Sequence, residues 1–317
     1  MKKLHVRRFL LSYSNIFVLV IALAVLCIVM SSLSPYFLQA NYLWTQSGFV
    51  AETSLIGLGM TLVILIGGID LSVGSMMALS CVLMGMMVNA GVPPFAAVLI
   101  SLLVGAAGGF INGFIVCKAR VAPLIVTLGT MGLFRGVAMG ITNGDAQQLP
   151  RSMYWIGQGR VGMVPVSLIV ALVLYAAALY MIHNMKMGVN LKAIGFNESC
   201  ARFSGIHVDM EKIRVYMISG TLAALMGIIY ACRVSSAKAD YGSNYEMNAI
   251  TIAVFGGAVL SGGKASIAGS FVATVIIVLL KQGLTLINVQ SDIQSVVVGL
   301  ILIFAVAFNT FINKLDK

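Results

Sequence analysis

The sequence predicts an all-α fold, a polytopic bundle of about ten transmembrane helices with both termini in the cytoplasm and a candidate internal repeat. The first observation is composition: the 317 residues are 60% hydrophobic and 9% charged, with a mean hydropathy of +1.01. Soluble domains are about 45 to 50% apolar and about 25% charged. The second is that apolar stretches long enough to cross about 30 Å of hydrocarbon follow one another along nearly the whole chain. The third is that most cations lie between these stretches, so we expect membrane lipid and no nucleic acid as a partner.

Ten apolar segments, separated by Pro, Gly, Asn and charged residues, are predicted to be spans. They cover 10–31, 46–67, 74–90, 95–117, 121–142, 164–184, 214–235, 246–262, 265–285 and 293–311. The first follows four cations, as a signal peptide would, but its apolar run exceeds the usual ~7 to 15 residues and no clear cleavage site follows. We therefore interpret it as an uncleaved span.

The distribution of cations predicts the orientation. If the N-terminus is cytoplasmic, the outer segments carry only Arg151, Arg160, Arg233 and Lys238. The inner segments carry fourteen, namely Lys2, Lys3, Arg7, Arg8, Lys118, Arg120, Lys186, Lys192, Arg202, Lys212, Arg214, Lys264, Lys314 and Lys317. This excess follows the positive-inside rule and predicts that both termini are cytoplasmic.

Two spans carry small residues at four-residue spacing. The fourth has Ser101, Gly105, Gly109 and Gly113, and the fifth has Gly132, Gly136, Gly140 and Gly144. Small residues at this spacing let helix backbones approach closely in lipid. We expect both stripes to pack against other helices, with a dimer contact or a sliding helix as the alternative.

An acidic residue stands in a glycine-rich break between the second and third spans. Asp70 belongs to the sequence GGIDLSVG at 67–74, and the related sequence GGAVLSGG occurs at 256–263. Paired Gly-interrupted segments are a common device of transporters, where broken helices flank the substrate path. Asp70 is either a water-exposed turn acid or a structural or pathway residue, because burying a carboxylate in the membrane is costly.

The titratable residues form no catalytic or metal-binding pattern. Five cysteines occur singly, without the spacing of a disulfide framework or a metal site. His5, His183 and His207 lie in cytoplasmic or boundary segments, and no Ser-His-Asp set or paired carboxylates accompany them. We therefore expect no enzyme activity, no cofactor and no metal. Arg135 within the fifth span and Glu52 at the start of the second are interfacial residues or parts of a coupling site.

The longest charged segment is a loop at 185–213, which we expect to be cytoplasmic. Asn197 is a candidate N-cap of a short helix that runs through Ser204, and Gly205 is suited to end it. So short a helix is marginal in water and needs to dock, either on the chain's own helix ends or on a partner. No segment outside the spans is long enough for an independent domain, so residues 1–317 are interpreted as one transmembrane domain that contains this loop.

At these residues the sequence resembles the membrane permeases of ribose-type ABC sugar importers. The resemblance is carried by GLGMTLVILIGGIDLSVGSMMALS at 57–80, VAPLIVTLGTMGLFRGVAMGITNG at 121–144, GVNLKAIGFNESCARFSGI at 188–206, and 245–271. Two departures are Phe196, where the family commonly has a second glycine before Asn, and Met247-Asn248, where it frequently has Leu-Asp. A role for that second acid therefore does not carry over to this chain.

The resemblance implies a multi-pass subunit of the bacterial inner membrane. Two permease copies form the pore, a tandem ABC ATPase drives it from the cytoplasm, and a periplasmic sugar-binding protein delivers the solute. The second copy is the same chain or a paralogous permease. The resemblance also assigns ATPase coupling to Gly195, Asn197, Glu198, Ala201, Arg202 and Gly205.

Two further sets of residues are expected to act in transport. Arg151, Arg160 and Lys238 are candidates for docking acidic patches of the binding protein. Asp70, Ser72, Asn248 and Ser261 are candidates for the translocation path or its gate. The expected function is ATP-driven import of a monosaccharide or a related polyol or signalling sugar, and the alternative is a secondary transporter driven by an ion gradient. The sequence does not choose among the sugars.

Overall fold

A computed structural model describes the backbone of residues 2–315 and the side chains of residues 16–307. The cations at positions 2, 3, 7, 8, 314 and 317, which contribute to the predicted orientation, lie outside the described side chains. The helices are α1 Lys2–Leu33, α2 Ala40–Leu65, α3 Val73–Asn89, α4 Pro94–Lys118, α5 Pro123–Thr142, α6 Tyr154–Gln158, α7 Val166–Asn184, α8 Lys186–Phe196, α9 Glu198–Phe203, α10 Val208–Val234, α11 Tyr245–Phe255, α12 Ile267–Leu286 and α13 Ser291–Leu315. Four two-residue strands are β1 Gln147–Gln148, β2 Arg160–Val161, β3 Val164–Pro165 and β4 Ser236–Ala237, and a 3₁₀ helix covers Arg151–Met153.

All ten apolar segments coincide with helices, which confirms the predicted all-α membrane bundle. Among the described residues, seven helices are long and apolar enough to cross a membrane. The shorter apolar helices are α3 and the described part of α13 at Ser291–Ala307. The segment 246–262 behaves differently, because α11 ends at Phe255 and the chain turns before α12 begins.

Glycines cause this early end of α11. Gly257, Gly262 and Gly263 have φ values of 100°, 88° and 82°, a region that residues with a Cβ rarely adopt. The eleven residues of α11 rise about 16 Å, roughly half of the hydrocarbon thickness. The prediction of a full span at 246–262 is therefore wrong in its inner half.

The core of the bundle is α10, which packs against α2, α3 and α4. Gly105 of α4 lies against the backbone of Gly220, Gly109 against the carbonyl of Tyr216, and Gly113 against Ile213. A Cβ on any of these three glycines would overlap α10. The packing role predicted for the small residues of the fourth span is confirmed.

The glycine stripe of α5 is arranged in the opposite way. A Cβ on Gly132, Gly136 or Gly140 would meet nothing within 4 Å in the described chain. The opposite face of α5, with Thr130, Phe134 and Ala138 among its buried residues, is the one turned inward. The packing expected for this stripe is therefore not found within the described part of one chain. Gly144 lies beyond the end of α5 and serves a turn with a φ of 81°.

The two ends of the bundle differ in structure. At one end, β1 pairs with β4 and β2 with β3, close to the 3₁₀ helix and α6. At the other end lie α8 and α9. We call the end with the strands the outer end and the end with α8 and α9 the inner end, following the charge asymmetry of the sequence.

The contrast between the two glycine stripes leads to a test of stability. In Gly109→Ala the new Cβ would lie 2.7 Å from the carbonyl carbon of Tyr216 and 2.8 Å from Cα of Met217, so α4 and α10 must separate. We expect a loss of about 1 to 3 kcal/mol in the free energy of unfolding in detergent.

Gly132→Ala is the matched control, because its Cβ meets nothing within 4 Å in the described chain and Ala has the higher helix propensity. The stability of this variant should be unchanged or slightly raised. Equal destabilisation by the two variants would contradict the packing difference between α4 and α5.

Candidate transport and coupling sites

Asp70 lies at the centre of a buried polar cluster just before α3. One carboxylate oxygen accepts hydrogen bonds from the backbone N–H of Ser72 at 3.0 Å and from its hydroxyl at 2.6 Å. The other oxygen accepts a hydrogen bond from the Ser219 hydroxyl of α10 at 3.0 Å. Asp70 is only 1% exposed, so it does not lie on a water-exposed turn.

The same cluster holds two further helices to the break between α2 and α3. Asn112 of α4 donates a hydrogen bond to the Ser72 hydroxyl at 2.8 Å, and Thr127 of α5 donates one to the carbonyl of Ile69 at 3.1 Å. None of the ion pairs in the described side chains includes Asp70. The break is thus stabilised by hydrogen bonds from uncharged donors of α4, α5 and α10.

The structure does not bring all four candidate path residues together. Asp70 and Ser72 share one cluster, whereas Asn248 lies on α11 and accepts a hydrogen bond from the Lys281 ammonium of α12 at 3.0 Å. Ser261 lies at the inner end, where it helps to line a groove. A role in the path stays a prediction for each of them.

The two glycine-rich breaks meet at the inner end. The backbone N–H of Gly263 donates a hydrogen bond to the carbonyl of Leu65, the last residue of α2, at 2.9 Å. A Cβ on Gly262 would lie 2.9 Å from the backbone nitrogen of Gly67, so the two loops are in direct contact. The related sequences at 67–74 and 256–263 therefore lie side by side.

Gly195, near the end of α8, lies where these breaks meet. A Cβ at this position would overlap both the carbonyl oxygen of Leu65 and the backbone nitrogen of Gly263. The ring of the next residue, Phe196, lies against Gly263. The segment that precedes α9 thus contacts both breaks through its backbone.

The predicted cap of the short helix is confirmed. The side-chain oxygen of Asn197 accepts a hydrogen bond from the backbone N–H of Cys200 at 3.0 Å, and α9 covers Glu198–Phe203. Gly205 has a φ of 81° and follows the end of the helix, as a C-terminal glycine should. Ala201 is buried, so α9 is docked on the chain itself.

The charged residues of α9 are paired within the chain. Arg202 contacts Glu198 at 2.9 Å and also Asp209 at the start of α10. Glu198 is paired with Lys212 of α10 as well, and Lys118 at the end of α4 binds Asp209 at 3.2 Å. This ionic network joins α4, α9 and α10.

The network sets the charge state of Glu198. Partial burial acts to raise the pKa of this carboxyl, but hydrogen bonds from Lys212 and Arg202 outweigh burial and hold the pKa below its ordinary value. Glu198 is therefore ionised at neutral pH. Its contribution to the network is lost only as the pH falls through that lowered pKa.

A groove of about 750 Å³ opens beside α9 at the inner end. Its walls come from the ends of α2, α4 and α8 and the start of α5, and they include Gly67, Arg120, Phe196 and Ser261. Beyond the groove, Phe203 at the tip of α9 is 92% exposed. Aromatic side chains are enriched among the residues that anchor protein interfaces, so Phe203 is a candidate for such a contact.

Two other charged residues of the spans are also engaged by the chain. Glu52 of α2 forms a bidentate pair with Arg233 of α10 at 2.6 and 3.0 Å, and the guanidinium stacks on Phe49, 4.1 Å from the ring centroid. Arg135 of α5 donates hydrogen bonds to the carbonyls of Ala239 and Tyr241. Sequence reasoning missed these partners because positions so far apart leave no local pattern.

The candidate docking cations fall into two groups at the outer end. Arg151 and Arg160 are exposed on the 3₁₀ helix and β2, near the exposed Trp155 and Val161. Lys238 lies elsewhere, on the wall of a cavity of about 510 Å³ with Asn143, Asp145 and Asp240. The structure thus separates Lys238 from the other two.

Several residues of these sites escaped the sequence analysis. Ser219 and Asn112, which bind the Asp70 cluster, are single polar residues within apolar spans, and a polar residue there is the signal that could have identified them. The helix α8 was interpreted as loop, although its sequence KMGVNLKAIGF has helical spacing of apolar residues.

Comparison with known proteins assigns the chain to a family. Residues 47–306 match the family described as branched-chain amino acid transport system / permease component. The ribose import permease protein of Escherichia coli strain K12 is 40% identical over 90% of this chain and 91% of its own length. The ribose import permease protein of Bacillus subtilis strain 168 is 38% identical over 90% of each chain. The D-allose transport system permease protein of Escherichia coli strain K12 is 37% identical over 95% of this chain and 92% of its own length. No solved structure matches the chain.

The pair of Glu52 and Arg233 leads to a second test. Glu52 is 2% exposed, and removing one partner of a buried pair costs about 3 to 5 kcal/mol because the other charge stays buried. We expect Glu52→Met and Arg233→Met each to destabilise by that amount in detergent unfolding, and the double variant by clearly less than their sum. Additive losses in this double-mutant cycle would show that the two side chains are not coupled.

Proposed function

We infer that this chain passes a sugar across the bacterial inner membrane, because it belongs to the family of permease components of ABC importers. The observation that carries the proposal is identity of 40% over 90% of the chain to a ribose import permease protein. Permease proteins named for D-allose transport and for autoinducer 2 import are also similar to it. We propose a monosaccharide, or a related polyol or signalling sugar, as the solute.

The proposal includes three partners. A cytoplasmic ABC ATPase supplies energy, a periplasmic binding protein supplies the sugar, and a second permease copy completes the pore. Arg151 and Arg160 support docking of the binding protein, because both are exposed at the outer end beside exposed apolar side chains. The open glycine face of α5 supports a contact with the second copy, because it lacks neighbours in the described part of its own chain.

The ATPase is proposed to bind α9. Glu198 and Arg202 are already paired with Lys212 and Asp209, so their role in coupling is to fix α9 to α10 and α4. Phe203, 92% exposed, then supplies the contact with the ATPase. In this proposal, the charged residues hold α9 in place, and Phe203 provides the affinity for the ATPase.

Coupling is proposed to run from α9 through Gly195 to the two breaks. Gly195 contacts Leu65 and Gly263 at backbone distance, so a displacement of α9 changes the contact between the ends of α2 and α11. An ATPase that binds one arrangement of these loops more tightly shifts the permease towards it.

The described side chains do not favour the ion-driven alternative. Such a transporter would use Glu52 or Arg135 as a coupling group, yet Glu52 is held by Arg233 and Arg135 by two backbone carbonyls. Asp70 likewise accepts hydrogen bonds from Ser72 and Ser219 within the chain. The proposed function therefore stays with ATP-driven import.

The decisive experiment is purification of the tagged chain from its native membrane, followed by reconstitution of whatever binds. We expect an ABC ATPase to co-purify, and the complex to accumulate D-ribose, D-allose or autoinducer 2 in liposomes only with ATP and the binding protein. A chain that is recovered alone and accumulates solute down an ion gradient would overturn the proposal.

Two substitutions separate binding from coupling. Phe203→Ala should weaken binding of the ATPase by at least ~2 kcal/mol, roughly 30-fold, as expected for a buried aromatic anchor. Val189→Ala on α8, whose side chain is 66% exposed, is the control and should leave ATPase binding unchanged.

Gly195→Ala should have the complementary effect. The ATPase is still bound and hydrolyses ATP, but uptake falls because the new Cβ pushes α8 away from Leu65 and Gly263. Normal uptake by Gly195→Ala in a folded complex would contradict the proposed path of coupling.

A further inference from the structure

The chain between β4 and α11 descends into the bundle without forming a helix. At its upper end, Ala237 lies beside Gly85 of α3, where an added Cβ would be 3.4 Å from the Ala237 Cβ. At its lower end, Gly242 lies against Gly74 of α3. These two positions of α3 are eleven residues apart, or about 16 Å along a helix. The segment 238–244 therefore reaches about the middle of the hydrocarbon layer.

Arg135 gives an independent measure of this depth. It lies seven residues before the outer end of α5 at Thr142, which is about 10 Å along the helix. Its guanidinium donates hydrogen bonds to the carbonyls of Ala239 and Tyr241, the latter at 2.6 Å. The carbonyls of Ala239 and Tyr241 are not part of a helix, so they lack the backbone hydrogen bonds of a helix. The guanidinium of Arg135 supplies hydrogen bonds to both of them inside the membrane.

Polar side chains of the segment are exposed. Asp240 lies in its upper part, on the wall of the outer cavity, and Ser243 and Asn244 lie at its lower end. Asn244 has a φ of 66°, and its side chain does not cap α11, which begins at the next residue. Met247, one turn into α11, is 52% exposed beside them.

Lipid is an unsuitable neighbour for this surface. Irregular backbone occurs at membrane depth only where it is buried in protein or lines water, and exposed polar side chains there likewise avoid hydrocarbon. The exposed side chains are not covered by the described part of this chain, so they face either water or the second copy proposed above. The neighbouring helix α5 does not fill the space beside these side chains. Gly136, next to Arg135, has no side chain, and a Cβ there would meet nothing within 4 Å in the described chain.

We propose that residues 240–247 line the outward-facing part of the translocation path and bind an uncharged, polyhydroxylated solute. This proposal rests on the proposed function and assigns it a solute-contact site. The Asp240 carboxylate accepts hydrogen bonds from solute hydroxyls, and the Asn244 amide both accepts and donates. The Ser243 hydroxyl donates its proton to the Asp240 backbone carbonyl at 2.7 Å, so it accepts a hydrogen bond from the solute. Met247 offers an apolar surface to the C–H groups of the sugar ring. The cavity of about 510 Å³ above Asp240, within the range of ligand sites, is its entrance.

The test of the path is cysteine labelling in the assembled importer, reconstituted in liposomes with its ATPase. Ser243→Cys and Asn244→Cys are made in a Cys200→Ser background, because Cys200 is exposed. A membrane-impermeant methanethiosulfonate, which reacts only with thiols in water, should modify both at least tenfold faster than the control.

The control is Leu103→Cys on α4. Leu103 is 63% exposed and lies nine residues from the outer end of α4 at Pro94, a similar depth of about 13 Å. We expect it to react only with a lipid-soluble maleimide. The proposal would be overturned if the methanethiosulfonate modified positions 243 and 244 as slowly as position 103. It would also be overturned if two Asn244→Cys copies formed a disulfide and were not labelled.

The solute contact is tested by uptake of whichever of D-ribose and D-allose the wild-type complex accumulates. Asp240→Asn and Asn244→Ala should each lower kcat/KM for uptake about three- to tenfold, the effect of one lost hydrogen bond, with ATPase binding unchanged. Gln148→Ala, an exposed polar residue on β1, is the control. Unchanged uptake in both variants would remove the contact. Cysteine labelling does not depend on transport, so it tests the path even if no sugar is transported. Failure of the proposed function would be seen in the uptake assay, as a wild-type complex that accumulates no sugar.

Discussion

Backbone groups that a broken helix leaves unpaired find no water inside a bilayer, and the two breaks of this protein satisfy each other. The N–H of Gly263 binds the carbonyl of Leu65, and the Asp70 cluster holds the rest of the first break to α4, α5 and α10. The two breaks therefore share the contacts of Leu65 with Gly263 and of Gly67 with Gly262. A change at one of them alters the environment of the other, which is what a transporter needs if two halves of a path are to respond together.

Close backbone packing divides the bundle into a fixed part and an open part. The glycines of α4 bring it against α10 at backbone distance, and α10 also contacts α2 and α3. The glycine face of α5 lies outside this tightly packed unit. The segment 238–247 is packed on α3 through Gly242 and Gly74 but carries exposed polar side chains. The proposed coupling residues are attached to the packed unit, and the proposed solute contacts lie on its open surface.

Much of this architecture could be predicted from the sequence, because a helix that crosses membrane lipid needs a long run of apolar residues. Ten apolar runs became helices, and the N-cap at Asn197 follows from a local rule. The early end of α11 could not be placed, since its sequence stays apolar through the glycines that turn the chain. The same four-residue glycine spacing packs α4 and leaves α5 open, because a local pattern does not say whether its partner is in the same chain. The pairing of Glu52 with Arg233 depends on tertiary geometry and leaves no trace in either neighbourhood.

The ionic network around α9 has a mechanical consequence. Asp209 of α10 is bound both by Arg202 of α9 and by Lys118 of α4, and Lys212 of α10 is bound by Glu198 of α9. A six-residue helix with these attachments does not move alone. A load on α9 would be shared by α4 and α10, which are already joined along their glycines, so we expect the two long helices to move together. Ions in the surrounding solution screen exposed pairs of this kind, and the stiffness of that joint is therefore expected to vary with the salt concentration.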